Sequence, residues 1–180
     1  MGHKEGDASC FYIINSRSWD IVAYWHGRLA PDLFGTEIIR YAKEYNNAFV
    51  GIEENNSGIA VINTVKDDYS NLYQRERRDK VTEEVTSQLG WFTTQKSKDE
   101  IIAVIKQTLR EKIVGVIPTS LKGELSTFVL KDNGSKEAMA GCHDDHVMAF
   151  GITLMMVKHN PYYEMSTKPS RYMGRVVSYR

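Results

Sequence analysis

The chain has 180 residues, enough for one domain with a full core, and its 42% hydrophobic and 26% charged side chains are those of an ordinary globular protein. Its 23 basic and 23 acidic residues cancel, which argues against a protein that coats nucleic acid through bulk charge and leaves room only for a local patch. The two cysteines, Cys10 and Cys142, belong to no CxxC pair, so neither a structural zinc site nor a disulfide framework is expected and a reducing cytoplasm is the default. No apolar run reaches the length of a membrane span, and the start, MGHKEGDAS, lacks the apolar core of a signal peptide.

Taken in order, CFYIIN (Cys10–Asn15) is rich in aromatic and β-branched residues and predicts a strand. SRSWD turns the chain, and IVAYWHGRL (Ile21–Leu29) predicts a second strand, closing a hairpin. Pro31 and Asp32 open a helix through about Tyr45, with Phe34, Ile38, Tyr41, Ala42 and Tyr45 on one face. AFVGIE (Ala48–Glu53) is a short buried strand, followed by the loop ENNSG and a helix through IAVINTVK. The stretch from about Asp67 to Thr94 is polar with tyrosines and takes no clear pattern. Ser97 and Glu100 have the spacing of a capping box before a helix, Ile101–Lys112, with Ile101, Ile105 and Leu109 on one stripe. IVGVI (Ile113–Ile117) predicts a short strand, Thr119–Leu121 a helix start, and STFVL and EAMAG a strand pair around the turn DNGS. A final, almost wholly apolar helix starts near His143. Hairpin, helix, buried strand and helices in this order predict an α/β fold with a mixed sheet flanked by helices. Residues 1–160 form the domain, and residues 161–180 a basic tail.

Charge stands at the entrance to that last helix, in GCHDDHVMAFG, where Asp144 and Asp145 precede the apolar run. Glu53 ends a buried strand. Strand ends and helix starts are where an α/β core opens to solvent. If the two places converge, repulsion raises at least one carboxyl pKa unless a cation is bound, and hard oxygen ligands suit Mg²⁺ or Mn²⁺. The plainer reading stands beside it. An aspartate at a helix N-terminus often only caps and answers the helix dipole. His143 and His146 are equally open to a structural role, Glu53 to a pairing with arginine, and Asn55 and Asn56 to a plain turn.

Together these segments resemble the nuclease domain of viral large terminase subunits. FVGIEENNSG is similar to that family's acidic strand-end motif, and GCHDDHVMAFG to its His-Asp-Asp segment. YSNLYQRE, GWFTT and SKDEIIAVI lie between them in the family's order. WHGRLAPDLF and YNNAFVGIE fit its second hairpin strand and helix junction. The resemblance spans about Gly6 to about Val157. It implies a ribonuclease H-like fold and a divalent-metal-dependent endonuclease that cuts concatemeric viral double-stranded DNA during genome packaging, in the host cell cytoplasm at the procapsid. Implied partners are DNA, the portal protein, the small terminase subunit and the ATPase domain of the full-length subunit. No phosphate loop of the type G-x-x-x-x-G-K-[ST] is present.

The resemblance implies roles residue by residue. Glu53 and Asp145 would hold a two-metal site with Mg²⁺ or Mn²⁺, and Asp144 would cap the helix or support that site. His143 and Asn55 would orient ligands. Lys96, Lys98, Arg75, Arg77 and Arg78 would meet DNA phosphates, positioning DNA without reading its sequence. The family pattern begins with a strand ending in a catalytic aspartate. This sequence starts inside the loop that follows, where Asp7 matches the second acidic position, so the first strand is expected to be missing. Two rivals follow: a resolvase or transposase-type nuclease of the same fold, and a non-catalytic module docking on the portal.

Overall fold

The computed structural model describes residues 8–78, 83, 85–131 and 134–161. β1 (Ser9–Ile14) and β2 (Ile21–Gly27) pair antiparallel with Phe11 opposite Trp25 and Tyr12 opposite Tyr24, and a bulge interrupts the register at Ile13/Ile14. Successive side chains of a strand point to opposite faces. Phe11 accordingly meets Phe34 and Tyr41, whereas Tyr12 meets His146 and Phe150. The hairpin therefore has a helical layer on each side.

On the first side lies α1 (Pro31–Glu44), which starts on a proline with Asp32 in its first turn and buries Phe34, Ile38 and Ala42. It packs with α2 (Gly58–Val65), whose Val61 and Val65 complete that apolar cluster. On the opposite side lie α3 (Gln95–Arg110), α4 (Thr119–Thr127) and α5 (Asp145–His159). α5 is apolar nearly all round and is buried over most of its length, with Val147, Phe150 and Leu154 fully out of solvent. A helix of that kind belongs in a core.

The middle layer is built in pieces. Residues 48–54 run extended. Val50 N–H bonds Asn71 C=O at 3.0 Å, Tyr73 N–H bonds Val50 C=O at 2.8 Å, Trp91 N–H bonds Ile52 C=O at 2.7 Å, and Glu54 N–H bonds Trp91 C=O at 2.8 Å. These are parallel bridges, Val50 to Leu72 and Glu53 to Trp91. They carry the segment along the base of an antiparallel hairpin, β3 (Gln74–Arg78) and β4 (Val85–Leu89). Parallel and antiparallel pairing are both present, as expected of a mixed layer. The layer is not one continuous sheet, because a cleft separates β1 from residues 48–54. A further small hairpin joins β5 (Phe128–Leu130) to β6 (Lys136–Ala138), where the strand pair was expected. Asp132 and Asn133 of its expected turn lie outside the described residues, as do Asp7 and nearly all of the 161–180 tail.

Several expectations are corrected. The capping box of α3 is Thr94 with Ser97, not Ser97 with Glu100: Ser97 N–H bonds the Thr94 hydroxyl at 3.2 Å and Thr94 N–H bonds the Ser97 hydroxyl at 2.8 Å. The helix therefore starts six residues before Ile101. Ile113–Ile117 forms no strand. Ile113 N–H closes the end of α3 on Thr108 C=O, Val116 is 84% exposed, and Pro118 already precedes α4. The patternless stretch after Asp67 holds the β3–β4 hairpin.

Candidate functional site

Glu53 stands where the 48–54 segment leaves the layer, and two local devices hold it there. The Asn55 side chain donates to Thr93 C=O at 3.0 Å and accepts from Thr93 N–H at 2.9 Å, tying the loop to the chain that leaves β4. Gly58 opens α2 so close to the strand end that a Cβ built there would sit 1.6 Å from Glu53 C=O. Only glycine permits that approach. Asn55 thus acts as a clamp on the Glu53 loop.

Across the cleft, Asp144 and Asp145 begin α5. Asp144 occupies the N-cap position without making a side-chain cap bond, which corrects the expectation that it caps the helix. The cap comes from Glu124 of α4, whose Oε2 accepts the N–H of His146 at 2.7 Å and of Val147 at 3.1 Å. Asp144 instead pairs with Lys98 of α3, Nζ to Oδ2 at 3.3 Å, both side chains being partly buried. Lys98 also lies 5.6 Å from the Phe128 ring centre.

The electrostatics bind these groups into one unit. Burial is the main reason the Glu53 carboxyl is pushed above the usual carboxylate range. The Thr93 hydroxyl opposes the rise, Asp144 adds to it, Lys98 opposes it, and Asp145 adds to it. Glu124 is also pushed up, first by burial, against the two main-chain N–H groups it accepts from and with Asp145 and Asp144 adding repulsion. A buried carboxylate with like charges nearby is stabilised by protonation or by a cation. Lys98 supplies part of that positive charge.

The donors are hard oxygens, the kind Mg²⁺ and Mn²⁺ take. In kind they fit a divalent ion. In number they fall short, because among the described residues no three His, Cys, Asp or Glu side chains are placed to hold a metal together.

The remaining expected residues are dispersed. His143 is exposed in the turn before α5 and makes no hydrogen bond among the described residues. The structured histidine is His146, buried against the Tyr12 hydroxyl at 2.7 Å and the Cys10 thiol at 3.4 Å, with its pKa lowered by burial and then by His26. Arg75 is half-buried, ion-paired with Glu54, and its guanidinium lies 5.0 Å from the Phe92 ring centre. Gln88 donates to the same Glu54 at 2.6 Å. Arg77 and Lys96 are exposed, and of Arg78 the structure describes only the main chain. Asp7 lies outside the described residues. Sequence reading missed Glu124, which is 20 residues from Asp144 and carries no motif, and it assigned Lys98 to DNA, whereas its nearest partner is Asp144.

Glu53, Asn55, Lys98, Asp144 and Asp145 share one cleft of about 1040 Å³. No helix among the described residues is long and apolar enough to cross a membrane. No protein-family model and no curated protein matches the chain. Among solved structures, it is similar to the large terminase nuclease from thermophilic phage G20c, with a TM-score of 0.64 over 86% of this chain and 77% of that one, at 16% sequence identity. At that identity the likeness carries the architecture: mixed helices and small strand pairs in this chain have the fold of a large terminase nuclease.

Proposed function

We propose that the chain is a nuclease of the terminase type, ribonuclease H-like in its sheet order, that cuts concatemeric viral double-stranded DNA during genome packaging with Mg²⁺ or Mn²⁺. The observation that carries this reading is the convergence of Glu53 with Asp144 and Asp145 at one end of the cleft, on a terminase-nuclease fold. Glu53 and Asp145 are the residues that would hold the metal, with Asp144 and Lys98 beside them. A bound divalent ion supplies Lewis-acid activation of water and neutralises charge on the phosphate. Asn55 and Gly58 keep Glu53 at the cleft, and Glu124 holds the first turn of α5 so that the two aspartates face it. Lys96 and Arg77, both exposed, would meet DNA phosphates. The small terminase subunit, the portal and an ATPase domain would be the partners, in the cytoplasm of the infected cell.

Among the described residues no three candidate ligands are placed to hold a metal together, which favours a second reading, a non-catalytic module that docks on the portal. One experiment separates the two. Supercoiled plasmid is incubated with the parent, Glu53→Ala and Asp145→Ala in Mg²⁺, Mn²⁺ and EDTA. Nicking that needs the ion and disappears in both variants is the expected result. Nicking that survives both substitutions removes these carboxylates from the chemistry. No nicking by the parent, together with binding to portal rings, supports the docking module.

A further inference from the structure

One edge of β2 carries the ladder to β1, and the other edge is open. Asn15 N–H bonds Asp20 C=O at 2.9 Å, and bonded and unbonded pairs alternate along β1 from there. Phe11 and Trp25 are then a bonded pair, and Tyr12 and Tyr24 an unbonded one. The Tyr12 carbonyl agrees, since it accepts from the Thr153 hydroxyl at 3.5 Å. The N–H and C=O groups of Tyr24 and His26 therefore point out of the open edge. Among the described residues, no main-chain bond outside the β1 ladder reaches them.

The sequence of this edge invites pairing. Natural edge strands discourage it with lysine, proline or inward-pointing charge. β2, IVAYWHG, has none of these along its seven residues. A bulge lies near its start, opposite Ile13 and Ile14, and leaves Ala23–Gly27 in regular register. Val22 and Tyr24 are 45% and 47% exposed. Gly115 sits beside Asp20, where a Cβ would lie 3.0 Å from Oδ1, so the strongly exposed Val116 adds a third apolar side chain near the start of the strand. Charge stands only at the two ends. Asp20 precedes β2 and Arg28 follows it, each four residues from Tyr24. The stretch is therefore complementary to its own reverse, with Tyr24 at the centre.

We propose that the open edge of β2 pairs antiparallel with the same edge of a second copy of this chain, with the twofold axis at Tyr24. Tyr24 then exchanges both of its outward main-chain groups with Tyr24 of the second copy. Asp20 of each copy lies opposite Arg28 of the other. Arg28 already has a partner, and its guanidinium carries five donors, enough for a second. Ala23 lies opposite Trp25, a small side chain against a large one, and Val22 opposite His26. Tyr24 stacks on Tyr12 with ring centres 5.6 Å apart, so two Tyr24 rings side by side carry that aromatic row across the axis. Sliding the pairing by two residues either way keeps the outward groups in play and parts Asp20 from Arg28. Charge thus selects the register. Self-complementarity selects the occupant, because the matching edge must be uncharged over the same length, with an acid before it and a base after it. The inference rests on the β1–β2 hairpin alone and stands or falls apart from the nuclease reading.

The test uses the full 180-residue chain in a Cys142→Ser background, since Cys142 is exposed and would cross-link by itself. Sedimentation equilibrium over rising concentration should show monomer and dimer in exchange. Tyr24→Lys sets two like charges face to face at the axis and should weaken the dimer about tenfold or more. Cross-linking under mild oxidation reads the register. A bonded antiparallel pair has its Cα atoms about 5.5 Å apart, within the span of a disulfide. Tyr24→Cys should therefore link to itself. Val22→Cys should not, because its two copies stand about 13 Å apart along the strands. It should link to His26→Cys when the two variants are mixed. A chain that stays monomeric at every concentration would overturn the proposal. So would a dimer indifferent to Tyr24→Lys, or one in which Val22→Cys links to itself as readily as Tyr24→Cys, since another surface or register would then hold it.

Discussion

Glu124 offers the sharpest test of how the acidic end is built. Its Oε2 accepts two main-chain N–H groups from the first turn of α5, at 2.7 and 3.1 Å, at a place where the N-cap residue itself contributes no side-chain bond. Glu124→Ala leaves both donors without an acceptor. Loss of a side-chain cap costs about 1–2 kcal/mol, and loss of negative charge at a helix N-terminus about 0.3–1 kcal/mol more. Relief of the repulsion from Asp145 and Asp144 offsets part of this. The net loss at pH 7 is about 1–2 kcal/mol, roughly 2–8 °C in Tm for a domain of this size. Glu124→Gln keeps an acceptor and drops the charge, so it should stay within about 0.5 kcal/mol of the parent or exceed it. The pH dependence has a definite sign. The folded-state pKa of Glu124 lies above its ordinary 4.5, so the folded chain holds this proton more tightly than the unfolded chain. That contribution to stability is fully present below about pH 4.5 and is lost as pH rises through the folded value. The parent therefore loses stability from this group towards neutral pH, and Glu124→Gln does not. Urea unfolding at pH 5 and pH 7, followed by fluorescence of the buried Trp91, reads both effects. If the alanine and glutamine variants unfold alike at pH 7, the carboxylate is not the cap and the reasoning fails.

Arg75→Ala should destabilise the chain by about 3 kcal/mol, because it strands Glu54 in a pair whose side chains are only 21% and 13% exposed. A weakened DNA complex with unchanged urea midpoint would return Arg75 to the role of a phosphate contact. The two thiols should separate in a labelling experiment with a disulfide reagent at pH 8. Cys142 is exposed and should react quickly, whereas burial, followed by the charges of Glu124 and Asp145, pushes the Cys10 thiol far above its usual range and should keep it unreactive until the chain unfolds. Equal rates for the two thiols in the native chain would show that the packing around His146 opens readily.

What was legible in the sequence followed strong periodicity. The β1–β2 hairpin shows itself through aromatic and β-branched residues, and α1 through Phe34, Ile38 and Ala42 at helical spacing. The apolar run after Asp145 could only be a core helix. β3 was illegible because QRERR offers no apolar alternation, and its partner strand is largely exposed. Its place in the fold comes from pairing at the base, through Tyr73 and Gly90. The start of α3 was misplaced because Thr94 and Ser97 cap each other with two hydroxyls, whereas the sought pattern ends in a carboxylate or amide. The site divides in the same way. Glu53, Asp144 and Asp145 stood out in the sequence because each sits at a chain position where cores open, and all three line one cleft. Glu124 and Lys98 come from other helices, and no local spacing connects α3 or α4 to the start of α5. Those two residues decide the character of the acidic end. Glu124 holds the helix turn that Asp144 does not cap, and Lys98 answers negative charge that burial would otherwise drive the carboxylates to neutralise by taking up protons. Two aspartates can therefore stand before a buried helix because a third carboxylate takes over the capping and an amine shares their field. Asp144 is thereby left to pair with Lys98 beside the cleft and makes no cap bond to the helix.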